Sequence, residues 1–137
     1  MPCLSRLDRI AIVDRVFAQE MAKPYVEGVS DCFFLGLADI DALRGTEFSS
    51  EYAGVYKTLR GSQHALRRRG HTSLTTFFPT LGLESIPAGR CAPGDIGIPV
   101  TDGVEHIAIF TGAAFRSRGP DGDLVFRLAD IAAACRS

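Results

Sequence analysis

Residues 32–44 (CFFLGLADIDALR) constrain the chain more than any other stretch. Asp31 stands before them as a residue type that caps helix N-termini, and Gly45 follows as a helix stop, so a helix is predicted from Cys32 to about Arg44. Its first turns are apolar almost all the way round. Such a helix is stable only when other elements cover it on every side. The fold is expected to be assembled around it.

The elements available for covering it change character along the chain. Apolar residues at Leu4, Leu7, Ile10, Ala11, Phe17 and Met21 recur at helical steps and predict a first amphipathic helix that Pro24 ends. Residues 48–60 and 62–69 read as surface helices broken at Gly61, and 73–80 as a short helix closed by Pro79. Residues 82–94 are rich in Gly and Pro and read as a loop. Alternation and β-branched residues come later. Strands are predicted over 95–100 and 104–111 around Thr101-Asp102-Gly103, and over 113–118 and 123–128 around Gly119-Pro120-Asp121-Gly122. Residues 128–135 read as a last helix. Helices followed by an antiparallel meander predict one α+β domain over 1–137, its N-terminal helices packed on a C-terminal antiparallel sheet, with a helical insertion at about 46–80.

Composition removes several classes of function. A 46% hydrophobic fraction in 137 residues is enough for one core and excludes intrinsic disorder. With 15 basic against 16 acidic side chains there is no overall field to draw in nucleic acid or a membrane surface. No apolar run reaches the roughly 20 residues of a membrane span, so membrane insertion is not expected. Asp8, Arg9, Asp14 and Arg15 interrupt residues 1–22, so a secretory signal is not expected there and synthesis is placed in the bacterial cytoplasm. Cys3, Cys32, Cys91 and Cys135 lie too far apart for a zinc knuckle. No metal and no organic cofactor is expected.

Cys32 is the first candidate for chemistry. A thiol at a helix N-terminus meets the positive end of the dipole and free backbone N–H groups, which favour thiolate and lower its pKa from about 8.5. Those N–H groups can also stabilise an oxyanion. The plain alternative is a buried small residue, the commonest fate of a free Cys. His106 is the candidate base, on a strand face shared with Ala108 and Phe110. Its plain alternative is a strand histidine without a role. His64 and His71 sit on polar segments and are expected to face solvent, as is Cys91. Arg67-Arg68-Arg69, with Arg60 nearby, reads first as a solvated helix face and second as a contact for an anionic polymer or partner. Phe33-Phe34, Phe77-Phe78 and Phe110 are expected in the core, and Gly94-Asp95 in a turn.

Taken together these residues carry a resemblance. Asp31-Cys32 opening a central helix, Gly94-Asp95 opening a strand, and His106-Ile107-Ala108-Ile109-Phe110-Thr111-Gly112 in that order resemble the NlpC-type cell-wall peptidases, a compact papain-like group of cysteine hydrolases. Tyr25 ahead of the cysteine and the strand Asp123-Leu124-Val125-Phe126 resemble the small single-domain members found in phage-tail and gene-transfer-agent clusters. The resemblance covers roughly residues 22–128. It implies a papain-like fold, Cys32 as nucleophile, His106 as base, and support of the cleft or oxyanion hole from Tyr25 and Asp31. The implied substrate is an amide of a peptidoglycan stem peptide, with phage tail proteins as partners and delivery to the cell wall on a particle.

The chain departs from that pattern in three places. Phe33-Phe34 follows the cysteine where the family commonly carries a small Ser-Gly pair. The third polar residue has no clear match, Arg116 or Ser117 falling about where it belongs. The insertion at 46–80 is long and helical. These departures favour an alternative of a different class, a catalytically inactive papain-like structural or assembly protein of a phage tail.

Overall fold

The computed structural model describes residues 4–137, so Cys3 lies outside the described residues. Helices come first and an antiparallel sheet follows, an α+β architecture. α1 spans Arg6–Met21, begun by a reciprocal cap in which the Ser5 side chain accepts from Asp8 N–H and Asp8 accepts from Ser5 N–H. Its buried face is Val13, Val16 and Phe17. Leu4 and Leu7, expected on that face, point to solvent because the helix meets its partner only beyond its first turns.

α2 spans Cys32–Arg44 and is the central element. Gly45 ends it in the left-handed conformation (φ 73°), as its place in the sequence suggests. Phe34, Leu35, Leu37 and Ile40 are buried between α1 and the sheet, in one cluster with Ile96, Ile98, Ile107 and Ile109. Gly36 lets the sheet come close, since a Cβ there would lie 2.7 Å from the Ile107 side chain.

The insertion is less helical than its sequence suggests. α3 is only Phe48–Glu51, and the chain then turns through Gly54. α4 (Leu59–Arg68) runs through Gly61 instead of breaking there. Thr58 explains this, because its hydroxyl accepts the Gly61 N–H at 3.0 Å and caps the first turn, where glycine is tolerated. α5 (Leu74–Phe77) continues into a 3-10 turn, Phe78–Leu81, that contains Pro79.

The sheet is antiparallel throughout, in the order β1-β7-β2-β4-β5-β6 with β3 paired to β2. The strands are β1 (Glu84–Ile86), β2 (Ile96–Thr101), β3 (Val104–Glu105), β4 (Ala108–Phe110), β5 (Phe115–Gly119), β6 (Gly122–Phe126) and β7 (Ile131–Arg136). Asp102 and Gly103 turn β2 into β3, both with positive φ, as a two-residue hairpin of opposed strands requires. Two expectations are corrected here. Residues 82–94 are not all loop, for β1 lies in them. Residues 128–135 are not a helix but a 3-10 turn followed by β7. The alanines of β7 favour a helix locally, but β2 pairs with the strand along most of its length and β1 with its last three residues, so small side chains are held in a sheet. A second apolar cluster of Ala108, Phe115 and Phe126, with Phe110, Leu124 and Ile131 against it, fills the other side of the sheet.

Polar groups lock the helices onto the strands. Arg118 of β5 is buried and donates to the carbonyls of Glu20 (2.6 Å) and Lys23 (2.8 Å), satisfying acceptors at the end of α1. Arg9 of α1 donates to Pro93 O at 2.6 Å, Asp95 at 3.0 Å and the Ser137 hydroxyl at 2.9 Å. Asp39 of α2 is fully buried, and neither of its carboxylate oxygens has a hydrogen-bond partner. Desolvation pushes its pKa well above the usual carboxylate range, against the pull of Arg9 and with the help of Asp95. The folded chain thus holds this proton more tightly than the unfolded one. Stability from this group is complete below the unfolded value of about 3.9 and is lost as pH rises through the folded pKa. Asp39→Asn is expected to flatten that dependence. Melting at pH 5 and pH 8 checks this, the variant gaining on the parent at the higher pH; an unchanged difference between the two pH values refutes it.

Candidate active site

Cys32 is the first residue of α2, and its position follows from the cap before it. The Asp31 carboxylate is buried and accepts from Phe34 N–H (3.2 Å), Gly28 N–H (2.8 Å) and the Tyr56 hydroxyl (2.6 Å). It therefore fixes the helix start, the preceding loop and a residue of the insertion at once. Gly28 makes this possible. Its φ is +79°, and a Cβ there would lie 2.2 Å from the Tyr56 carbonyl oxygen. Gly28→Ala is expected to destabilise the protein by about 3 kcal/mol, adding left-handed strain to a backbone clash. A urea midpoint equal to that of the parent would contradict this.

The thiol lies near the backbone N–H groups of Ile107 and of Cys32 itself and near the Ser117 oxygen, whose own proton goes to Ile107 O. β4 and β5 pair only at Ile109–Arg116 and Phe110–Phe115. Beyond that the strands part, and Ser117 reaches across to donate to Ile107 O at 2.5 Å. The sulfur lodges at this parting. The expectation of a lowered thiol pKa is corrected: burial pushes Cys32 up to about 11, the backbone N–H groups and Ser117 pull the other way, and the Asp31 charge adds to the rise. Desolvation outweighs the helix terminus because the sulfur has lost its water, although the residue as a whole is only half-buried.

His106 is the residue beside Ile107, but its ring does not hydrogen-bond to the thiol. Its Nε2 lies 3.0 Å from the Thr101 hydroxyl, and the ring packs on Phe126 with centroids 5.4 Å apart. The strand expected over 104–111 is broken here, His106 and Ile107 lying between β3 and β4, and contact with Phe126 sets the imidazole against the Ala108 cluster. Burial lowers the His106 pKa below the ordinary value of about 6.5, so the ring is neutral near pH 7.

The other expected residues divide clearly. Tyr25 comes close enough to Cys32 and Asp31 for their charges to act on it, and burial pushes its phenol up to about 12. The Arg118 guanidinium lies over its ring at 5.6 Å. Ser117 lies near the thiol. Arg116 does not take a site role, since it is bound by both oxygens of Asp123 at 3.0 Å and lies over the Phe17 ring. Asp95, expected in a turn, is fully buried in the ion pair with Arg9. Cys91 is partly buried against the second cluster, and Cys135 is in the core. His71 is partly buried with its edge on Phe77, not free in solvent as expected.

A cleft of about 410 Å³ opens beside Cys32. Its walls come from the insertion and from the β2–β3 hairpin, and Phe33, Tyr52, Tyr56 and Phe77 give it an aromatic lining. From the His106 segment, Glu105 and Ile107 face it. Two participants escaped the sequence reading. Thr101 holds the imidazole from the preceding strand, and Tyr56 holds Asp31 from the insertion. Their signal is weak, since a Thr before a hairpin turn and a Tyr in a surface segment are ordinary. Among the described residues no group of His, Cys, Asp and Glu is arranged to hold a metal.

Fold and site define an α+β domain whose central helix opens with a cysteine at the edge of an aromatic cleft. The chain belongs to the family described as a domain of unknown function (DUF6950), which matches residues 6–137. No curated protein and no solved structure matches it.

Proposed function

We propose that this is a papain-like, NlpC-type cysteine hydrolase that cleaves an amide in a peptidoglycan stem peptide, acting in association with a phage tail. The observation that carries the reading is the thiol at the first residue of α2, beside a cleft, with two backbone N–H groups at the sulfur. Those donors suit the oxyanion that forms when sulfur attacks a carbonyl. The resting pair is uncharged: a protonated thiol and a neutral imidazole held by Thr101. The ring lies outside the cleft lining, so in this reading catalysis needs it to swing from Thr101 to the thiol; His106 then takes the proton as the C–S bond forms, gives it to the amine as the C–N bond breaks, and activates the water that hydrolyses the thioester.

A second reading has its own observation. The imidazole is bonded to Thr101 and not to the thiol, and the thiol is held near 11, as suits a domain of the same fold that scaffolds tail assembly without turnover. The pH profile of hydrolysis separates the readings, and that of labelling checks the thiol pKa they share. Iodoacetamide labelling of Cys32, read by mass spectrometry, is expected to titrate near 11 in both. Hydrolysis of stem-peptide fragments is expected to rise through the His106 pKa, below 6.5, and to stay level into the alkaline range. Absence of any turnover across pH 5–9 establishes the scaffold reading.

A further inference from the structure

One edge of the sheet is open and poorly guarded. The path of strands ends on β1 at one side and on β6 at the other. β1 has three residues and runs into Pro87, which limits what it can pair with. β6 has five, and Arg127 continues it in extended conformation. Among the described residues no strand pairs with its outer side. The devices that usually protect an edge are missing, since β6 holds no proline, lysine or bulge. Its one acid, Asp123, is held by Arg116 of the neighbouring strand, both oxygens at 3.0 Å. Val125 is 65% exposed.

The backbone decides which partner fits. Gly119 and Gly122 pair across the turn Pro120-Asp121, and the register runs unbroken to Phe115 and Phe126. In such a two-residue hairpin the flanking pair is hydrogen-bonded, and bonding alternates from there. The N–H and C=O of Gly122, Leu124 and Phe126 therefore turn to β5, and those of Asp123 and Val125 turn outward. Arg127 is already committed: its N–H goes to the Asp130 carboxylate at 3.1 Å, and its carbonyl accepts the Asp130 N–H at 2.9 Å. The open groups are those of Asp123 and Val125. We propose that β6 pairs antiparallel with β6 of a second copy of this chain, about a two-fold axis at Leu124. That register sets Asp123 of each copy opposite Val125 of the other, and it is the antiparallel self-pairing in which every open group meets another. The half-buried Leu124 side chains come together at the axis. Charge also matches. Arg127, whose side chain is 85% exposed, comes beside Asp121 in the exposed turn of the second copy, acid against base on both sides of the axis. The contact uses one patch on both copies and so closes at a dimer. It does not depend on turnover at Cys32.

Analytical ultracentrifugation of the whole chain tests this. The parent is expected to form a dimer that dissociates on dilution. Val125→Glu places an acid opposite Asp123 of the second copy, while within its own chain it faces Arg116. It is expected to raise the dissociation constant at least about tenfold and leave the melting temperature unchanged. Arg127→Glu and Asp121→Arg, both at exposed positions, should each weaken association. An equal mixture of these two variants should restore it to within about threefold of the parent, because acid again meets base at both ends. A parent that stays monomeric at about 100 µM overturns the proposal. So does a dimer untouched by Val125→Glu, a mixture no tighter than its components, or an oligomer larger than a dimer.

Discussion

Cys32→Ala is expected to lower hydrolysis of a stem-peptide amide by at least about a thousandfold, while the protein melts within a degree or two of the parent. The two halves of this result have separate causes. The nucleophile is lost outright, and neither the backbone donors nor the imidazole can replace it. The helix start is kept, because Asp31, not Cys32, makes the hydrogen bonds that set it. His106→Ala should reproduce the kinetic loss. Thr101→Val is informative in a different way: freeing the imidazole from its resting partner should shift the acid limb of the pH profile and leave the fold unchanged. Activity within tenfold of the parent for Cys32→Ala removes the cysteine from the chemistry, whatever the other variants do.

Arg9→Met is expected to cost about 3–5 kcal/mol in urea unfolding, the largest stability effect of any single substitution considered. The substitution keeps most of the apolar stem and removes the charge. It leaves Asp95 fully buried, with Arg136 as its nearest cation at 3.7 Å, and strips Asp39 of the one charge that favours its ionised form. Because Arg9 serves both carboxylates, the loss should be smaller in an Asp39→Asn background, a non-additivity that a double-mutant cycle measures. Strict additivity would mean that Arg9 acts on Asp95 alone. A loss below about 1 kcal/mol would place the pair among surface ion pairs of little weight.

What could be read from the sequence was local. Asp31 before an apolar run and Gly45 after it define α2 with neighbours only a few residues away. Asp102-Gly103 does the same for the first hairpin. The strand expected around His106 was only partly legible, because residues 106–107 break it into β3 and β4. Most of the errors come from contacts distant in sequence, and Gly61, capped by a residue three positions away, is the exception. β7 looks helical from its alanines, and its conformation is decided by β1 and β2, both distant in sequence. Gly61 looks like a break until Thr58 is seen to cap it. The sequence reveals the helix terminus that lowers the thiol pKa, and only the packed structure reveals the desolvation that raises it more. Thr101 and Tyr56 became visible once folding brought them to groups already suspected.

The place of β7 sets an order on biosynthesis. The strand between β1 and β2 is the last of the seven to be made. Until residues 131–136 emerge from the ribosome, β2 has an unpaired edge carrying Ile96 and Ile98, and β1 has no partner. The helices can gather around α2 early, but the sheet cannot close by adding strands in sequence. A nascent chain stalled before residue 131 therefore presents a bare strand edge of the kind that recruits other chains, and one short alanine-rich segment covers it.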